Sequence, residues 1–390
     1  MLSSSLFFDY NATSPLHPEL KPKLLEWLDV WGNPSSVHAH GRDAKKVLRE
    51  ARQSLAEMLQ VSPLELVFTS GGSEGNNTVI CGLLDSPLSL HKKELITSQI
   101  EHPSVARAMD HAEQRGFIVH RIGVDREGRF DFEHFQRVLS DKTLLVSVML
   151  ANNETGVILP LSQISQMCKD KQVLVHTDAV QSLGKMPVSI ADLGVDYATF
   201  SGHKFYALKG TGFIYVRRGN EFFPYIHGGG QERGRRSGTE NVLAIASMGF
   251  MAEKLKDVSS SLQQMQTCRD TFEEQILKRI PEIEINAKNA HRVPNTSSVV
   301  IKNVYGESLL ISLDVKGFCV STGSACSSGS SEPSGVLQRM GISREDAQST
   351  LRVSMGWMTT PEQVLQFVDA LEQTVNHLRS LKKDKKSEYV

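Results

Sequence analysis

Seven short apolar segments, rich in β-branched and aromatic residues, recur between residues 64 and 217 with helix-length stretches between them. They are ELVFTS, ELITSQ, FIVHRIG, LLVSVML, VLVHTD, YATFSG and GFIYVR. Strands that alternate with helices in this way pair into a mainly parallel sheet. The pattern therefore predicts an α/β fold built on such a sheet.

The pattern changes after HGGGQERGRRSGTENV. It predicts long polar helices near residues 240–280, then strands at TSSVVI and STLRVSMG, and a final helix. We therefore expect two domains with a boundary near residue 259. The predicted large domain spans residues 16–259, and the predicted small domain combines residues 1–15 with residues 260–390.

The amino-acid composition argues against several classes of partner and site. The 43 basic and 44 acidic side chains give a formal net charge of −1, which argues against nucleic-acid and anionic-membrane partners. No stretch approaches ~18 consecutive apolar residues, and the start lacks a basic and apolar leader, so we expect a cytoplasmic protein. Five cysteines without C-x-x-C spacing, and an HAH segment without a further ligand nearby, predict neither a disulfide scaffold nor a metal site.

Polar segments follow five of the predicted strands: SGGSEGNN, EHPS, NNETG, DAVQS and GHK. Parallel α/β sheets bind ligands beyond the carboxyl ends of their strands, so we expect these segments to converge on one pocket. The glycine-rich SGGSEGNN precedes a predicted helix, where Gly72, Ser73 and backbone N–H groups can hold a phosphate. The alternative is a plain strand-to-helix turn with Ser73 as its N-cap.

Asp178 and Lys204 follow apolar strands, where charged side chains are uncommon. A carboxylate in such a place needs a cationic partner, and desolvation of a lysine favours its neutral, nucleophilic amine. The alternatives are a surface lysine just past a strand and, for His102 in EHPS, a local hydrogen bond. A phosphate cradle, a strand-end acid and a desolvated lysine together match the requirements of pyridoxal phosphate.

Cys326 lies in STGSACSSGSSEPS, residues 321–334, among small residues that give a thiol almost no apolar packing. Such a segment suits a thiol that visits a buried pocket and later presents its sulfur outside. The alternative is a linker that carries an incidental cysteine. We expect Cys81, Cys168 and Cys319 to be buried and inert.

The ordered motifs resemble those of the cysteine desulfurases in the class V aminotransferase family, the type that supports iron–sulfur cluster assembly. The resemblance covers nearly the whole chain and runs through FFDYNATSPLHP, WGNPSS, VFTSGGSEGNN, EHPSV, NNETG, HTDAVQS, TFSGHKFYALKG, HGGGQERGRRSGT, STGSACSSGSSEPS and LRVSMG. It implies the fold type I of pyridoxal-phosphate-dependent transferases. That fold has a large domain with a mainly parallel seven-stranded sheet and a smaller α+β domain.

The resemblance also implies roles for individual residues. Lys204 would carry the cofactor, Asp178 would pair with its pyridine nitrogen, and His102 would stack on its ring. The remaining cofactor contacts would come from Asn153 and Gln181 at the phenolic oxygen side, from Gly72, Ser73, Ser201 and His203 at the phosphate, and from Thr239 at the phosphate of the other subunit of a homodimer. Asn33 and Arg352 would bind the substrate carboxylate.

By the same resemblance, Cys326 would be the nucleophile that takes sulfur from L-cysteine as a persulfide, with L-alanine as the other product. The sulfur would pass to an acceptor such as an iron–sulfur scaffold protein. Two enzymatic alternatives stay open: a selenocysteine lyase and a small-substrate transaminase. A non-catalytic scaffold for cluster assembly is a further alternative, although clusters usually need several thiolates.

Overall fold

The computed structural model describes residues 6–322 and 332–387, with side chains as far as residue 381. Within these ranges the strands are β1 (Leu6–Phe7), β2 (Leu66–Thr69), β3 (Glu94–Ser98), β4 (Ile118–Ile122), β5 (Thr143–Ser147), β6 (Leu174–Asp178), β7 (Tyr197–Ser201), β8 (Gly212–Val216), β9 (Ile283–Ile285), β10 (Thr296–Ile301), β11 (Phe318–Cys319) and β12 (Thr350–Ser354). The helices there are α1 (Leu20–Leu28), α2 (Ala39–Leu59), α3 (Gly72–Leu84), α4 (Pro103–Gln114), α5 (Phe132–Val138), α6 (Leu161–Lys169), α7 (Ile190–Leu193), α8 (Val242–Lys254), α9 (Ser259–Arg279), α10 (Gly306–Val315), α11 (Gly335–Arg339), α12 (Arg344–Gln348) and α13 (Pro361–Ser387). Among these helices, none has the length and apolar character to cross a membrane.

The largest sheet has seven strands in the order β2-β8-β7-β6-β5-β3-β4. Strand β8 runs antiparallel to both of its neighbours, and the other pairs are parallel. All residues of β5, β7 and β8 are buried, as expected for strands covered on both faces. The mainly parallel seven-stranded sheet predicted above is therefore confirmed. Each strand lies within a predicted apolar segment, except that β5 begins one residue before its segment.

Helices α2 and α8 pack closely against each other beside the sheet. A Cβ atom on Gly249 of α8 would lie 2.4 Å from the Cα atom of Ala51, so glycine permits the close approach. Most of α8 is buried, including Ile245, Met248 and Met251. The prediction of polar helices near residues 240–280 is wrong for α8, because the face of α2 covers its small and apolar side chains.

A second apolar core forms around the three-stranded antiparallel sheet β12-β10-β9 and the helices α9, α10 and α13. Residues close to the N-terminus belong to it: the ring of Phe8 stacks on that of Phe367, with 4.7 Å between centroids. Strand β1 also pairs in parallel with β11. We propose that this core defines a small domain built from residues 1–15 and 260–390, with residues 16–259 forming the large domain.

Candidate active site

Asp178 ends β6 at the carboxyl edge of the seven-stranded sheet and is 6% exposed. Its Oδ1 atom accepts a hydrogen bond from the Val180 backbone N–H at 3.0 Å. Its Oδ2 atom accepts one from Asn76 Nδ2 of α3 at 2.7 Å. These two neutral donors hold the buried carboxylate where the sequence had led us to expect a cationic partner.

A chain of side-chain hydrogen bonds joins Asp178 to His102. Asn76 Nδ2 also donates to Ser104 Oγ at 2.9 Å, and Ser104 Oγ lies 2.8 Å from His102 Nδ1. His102 is the N-cap of α4, and its Nδ1 atom accepts from the Ser104 backbone N–H at 3.1 Å. The predicted local hydrogen bond of His102 is therefore present. It fixes the imidazole next to Ser104, which in turn bonds to the Asp178 partner Asn76.

Lys204 lies in the short turn that follows β7 and points toward a segment near the N-terminus. Its Nζ atom donates to the backbone oxygens of Asn11 at 2.6 Å and Ala12 at 2.7 Å. The same Asn11 oxygen accepts from Gln181 Nε2 at 3.0 Å. Asn11 therefore brings Lys204 and Gln181, two of the predicted site residues, to one point.

Arg352 and Asn153 are connected to Asn11 through the backbone oxygen of Asn153. Arg352 is 1% exposed, and its Nη2 atom donates to Asp9 Oδ1 at 2.6 Å. The backbone oxygen of Asn153 accepts from Arg352 Nη1 and from Asn11 Nδ2, both at 3.1 Å. Asn11 is itself buried and contacts both Thr296 of β10 and Lys204 after β7, so it links the small sheet to the large one.

The glycine-rich turn before α3 lies next to the end of β7. The N-cap of α3 is Gly71, at φ +151°, so the alternative that makes Ser73 the N-cap is wrong. A Cβ atom on Gly72 would lie 2.7 Å from Val180 Cγ2 and 3.7 Å from Ser201 Cβ. Gly72 and Ser201 are therefore neighbours, and Ser73 is exposed in the first turn of the helix.

His203 precedes Lys204 and is held beside the N-terminal segment. Its Nδ1 atom lies 3.1 Å from Thr13 Oγ1. Burial, together with the positive charges of Lys204, Lys209 and Lys185, lowers the pKa of His203 to about 4. The imidazole is consequently neutral at physiological pH and can donate or accept a hydrogen bond.

Two of the predicted site residues, Asn33 and Thr239, are exposed. Asn33 lies between α1 and α2, and its Oδ1 atom accepts from the Ser35 backbone N–H at 2.9 Å. Thr239 lines a cavity of about 180 Å³ together with Ser70 and Arg236, close to the glycine-rich turn. Their roles toward a substrate and a second subunit stay predictions.

The predicted nucleophile, Cys326, lies outside the described residues. Cys81, Cys168 and Cys268 are buried, and burial raises the pKa of Cys168 to about 12 and that of Cys268 to about 11. These buried thiols resist ionisation. The expectation that Cys319 is also buried is wrong, since it is only half-buried in the two-residue strand β11.

Two buried glutamates near the site were not among the predicted residues. Burial and the nearby charge of Asp178 raise the pKa of Glu101 to about 8. Hydrogen bonds from Ser98 Oγ and the Met149 backbone N–H lower this pKa but do not offset the effect of burial. Burial likewise raises the pKa of Glu154, whose Oε2 accepts from Ser334 Oγ. Glu101 lies in the motif EHPS and Glu154 in the motif NNETG, but the sequence does not reveal that these two side chains are buried.

The family described as Aminotransferase class-V matches residues 6–367. The chain belongs to this family. It is 39% identical to "Cysteine desulfurase" of Trichormus azollae over 99% of this chain and 96% of that protein. It is also 39% identical to "Cysteine desulfurase IscS" of Dictyoglomus turgidum, with 97% of each covered.

Among solved structures, a "NIFS-LIKE PROTEIN" aligns with a TM-score of 0.89 at 34% identity, covering 96% of this chain and all of that one. These similarities confirm the family resemblance drawn from the motifs. They also confirm fold type I for the chain, with its large sheet. The residue-by-residue roles stay predictions.

Proposed function

We propose that the protein is a cysteine desulfurase that binds pyridoxal 5′-phosphate, converts L-cysteine to L-alanine, and carries the sulfur as a persulfide on Cys326. The observation that most strongly supports this function is the placement of Asp178 and Lys204. A buried carboxylate ends β6, and a lysine amine follows the adjacent strand β7 on the same edge of the sheet. The printed names of the relatives agree with the proposal.

The residues present fit the proposed cofactor. Gly71 and Gly72 place no side chain at the start of α3, where a phosphate is favoured, and Ser201 lies beside them. Asp178 offers a buried carboxylate for a ring nitrogen, and Lys204 offers an amine for an aldehyde. When bound, pyridoxal phosphate supplies an aldehyde that reacts with amines and a ring that accepts electrons.

Residues of the chain would bind the cofactor ring, remove a proton and bind the substrate. Asn76 and Val180 hold the Asp178 carboxylate in place, so it can accept from a protonated ring nitrogen. Lys204 is the proposed base that removes the proton from the substrate Cα atom. Arg352 and Asn33 are the proposed ligands of the substrate carboxylate, with Arg352 already oriented by Asp9.

Cys326 is the proposed sulfur acceptor within the protein. Its thiolate forms a bond to the substrate sulfur while the substrate carbon–sulfur bond breaks. The electron pair of the broken bond stays with carbon, which takes up a proton to give alanine. The persulfide that remains on Cys326 is the form in which sulfur would leave for an acceptor protein.

The proposal extends to partners and location. We propose a homodimer in which Thr239 of each subunit contacts the cofactor phosphate of the other. Its support is the exposed position of Thr239 beside Arg236 and the glycine-rich turn. The sulfur acceptor is proposed to be a protein such as an iron–sulfur scaffold, and the location is proposed to be the cytoplasm.

Absorption spectroscopy with variants of two residues tests the function. Wild-type protein supplied with pyridoxal phosphate should be yellow, and Lys204→Ala should lose that absorption. Cys326→Ser should keep the colour and lose sulfide release from cysteine, whereas the matched control Cys319→Ser should keep both. A colourless wild type, or a keto acid in place of alanine as product, would contradict the proposal.

A further inference from the structure

Lys185 is a second buried lysine next to the candidate active site, and nothing in the proposed chemistry uses it. It is 3% exposed, although lysines are seldom buried to this extent. Its Nζ atom donates to Asn11 Oδ1 at 3.0 Å and, through a short contact, to Gln181 Oε1. These acceptors are neutral amide oxygens, so the amine is held by a polar network.

The network fixes the orientation of two side-chain amides. A lysine Nζ atom that donates must face oxygen, which places Gln181 Oε1 and Asn11 Oδ1 toward Lys185. Gln181 Nε2 then faces the Asn11 backbone oxygen at 3.0 Å, and Asn11 Nδ2 faces the Asn153 backbone oxygen at 3.1 Å. A backbone oxygen can only accept, so the nitrogen of each amide must face it. The contacts of the oxygen and of the nitrogen therefore agree on one orientation for each side-chain amide.

Asn11 connects this network to Lys204. Its side-chain oxygen accepts from Lys185, and its backbone oxygen accepts from Lys204 at 2.6 Å. Two lysine amines therefore share one residue in a buried setting. Asn11 therefore links the two amines, with its side chain bound to one and its backbone oxygen bound to the other.

The charged groups around Lys185 are mostly cationic. Burial lowers the pKa of Lys185 well below its usual range, the charges of Lys204 and Arg352 lower it further, and Asp9 opposes them. His203 is close enough for Lys185 to contribute to its own low pKa. Positive charge on one of these amines consequently disfavours positive charge on the other.

We propose that Lys185 is a positioning residue for the Lys204 amine, acting through the side chain of Asn11. It holds Asn11 and Gln181 in one orientation, and thereby fixes the residue whose backbone oxygen accepts from the Lys204 amine. The Lys204 amine is thereby held at one place, from which it can react with an aldehyde. The consequence for reactivity rests on the proposed function, whereas the effect on the amine itself does not.

The experiment compares Lys185→Met with Lys209→Met, which removes an exposed lysine of the segment that carries Lys204. In protein loaded with pyridoxal phosphate, the visible absorption is titrated with pH. We expect the pKa of this absorption to change by about 1 in Lys185→Met, since the side chain that fixes Asn11 is lost, and to stay unchanged in Lys209→Met. A yellow Lys185→Met protein with the wild-type pKa would overturn the inference.

A second measurement uses full-length protein without cofactor. The rate at which acetic anhydride modifies Lys204, followed by mass spectrometry against pH, should give a lower pKa in Lys185→Met than in wild type, because a fixed acceptor that favours the ammonium form is lost. An unchanged pKa of Lys204 overturns the inference, while a colourless wild type overturns only the proposed function. If Lys185→Met does not fold, wild-type Lys185 should be acetylated at least roughly tenfold more slowly than Lys209, and equal rates overturn the inference.

Discussion

Glu101 gives a prediction in which burial of a single carboxyl makes the stability of the protein depend on pH. The side chain is buried between the ends of β3 and β5, and its Oε2 atom has no hydrogen-bond partner in the part of the chain that the structure describes. Replacement by glutamine keeps an oxygen for the donors Ser98 Oγ and Met149 N–H. It removes the ionisable proton.

The magnitude follows from the pKa of Glu101, raised from 4.5 to about 8. Below pH 4.5 both the folded and the unfolded chain hold the proton, so the free energy of unfolding does not depend on this group. Between pH 4.5 and about 8 the unfolded chain releases the proton and the folded chain keeps it, so stability falls as the pH rises. A difference of about 3.5 in pKa corresponds to about 5 kcal/mol in total, of which about 3 kcal/mol is lost by pH 7.

Urea denaturation of wild type, Glu101→Gln and the exposed control Glu133→Gln between pH 5 and 9 measures this loss. The stability of Glu101→Gln relative to wild type should increase steadily from pH 5 to about 8 and then level off. Glu133→Gln should show a difference from wild type that does not follow this course. A Glu101→Gln difference that is constant across the range would refute the reasoning, since it would mean that Glu101 is ionised in the folded protein.

Three further predictions concern the fold and the site. Gly356→Ala should lower the free energy of unfolding by about 1–3 kcal/mol in urea, because a Cβ atom would lie 2.0 Å from Tyr10 Cε1. Arg292→Met should destabilise the protein by about 3–5 kcal/mol in the same assay, because it leaves the largely buried Glu273 carboxylate without the guanidinium that contacts it at 2.8 and 3.1 Å. Asp178→Asn should lower alanine formation from cysteine by about a hundredfold in protein that circular dichroism shows to be folded, because the charge proposed to face the cofactor ring is lost.

The strands and the strand-end residues could be predicted because their signals are local. Short apolar segments mark β2 to β8, and the polar residue after each strand is necessarily at the edge of the sheet. Asp178 and Lys204 were found in this way. The burial of α8 was missed because it depends on how closely Gly249 approaches Ala51, a contact between distant parts of the chain.

Asn11, Lys185 and Glu101 could not be found by such reasoning. Asn11 and Gln181 are 170 residues apart in the sequence, and no periodic pattern of residues predicts their contact. Lys185 stands four residues after Gln181 in a polar segment, where a lysine is normally solvated. Its burial follows from the N-terminal segment that closes over it, so the network becomes visible only in three dimensions.

The central claim is that Cys326 takes the sulfur of cysteine in a reaction that needs the Lys204 amine. Mass spectrometry of proteolytic peptides after brief exposure of the cofactor-loaded protein to L-cysteine tests it most directly. We expect a gain of one sulfur atom on the peptide that contains Cys326, and no gain on any peptide of Lys204→Ala. A sulfur gain on another cysteine, or an equal gain in Lys204→Ala, would contradict the account.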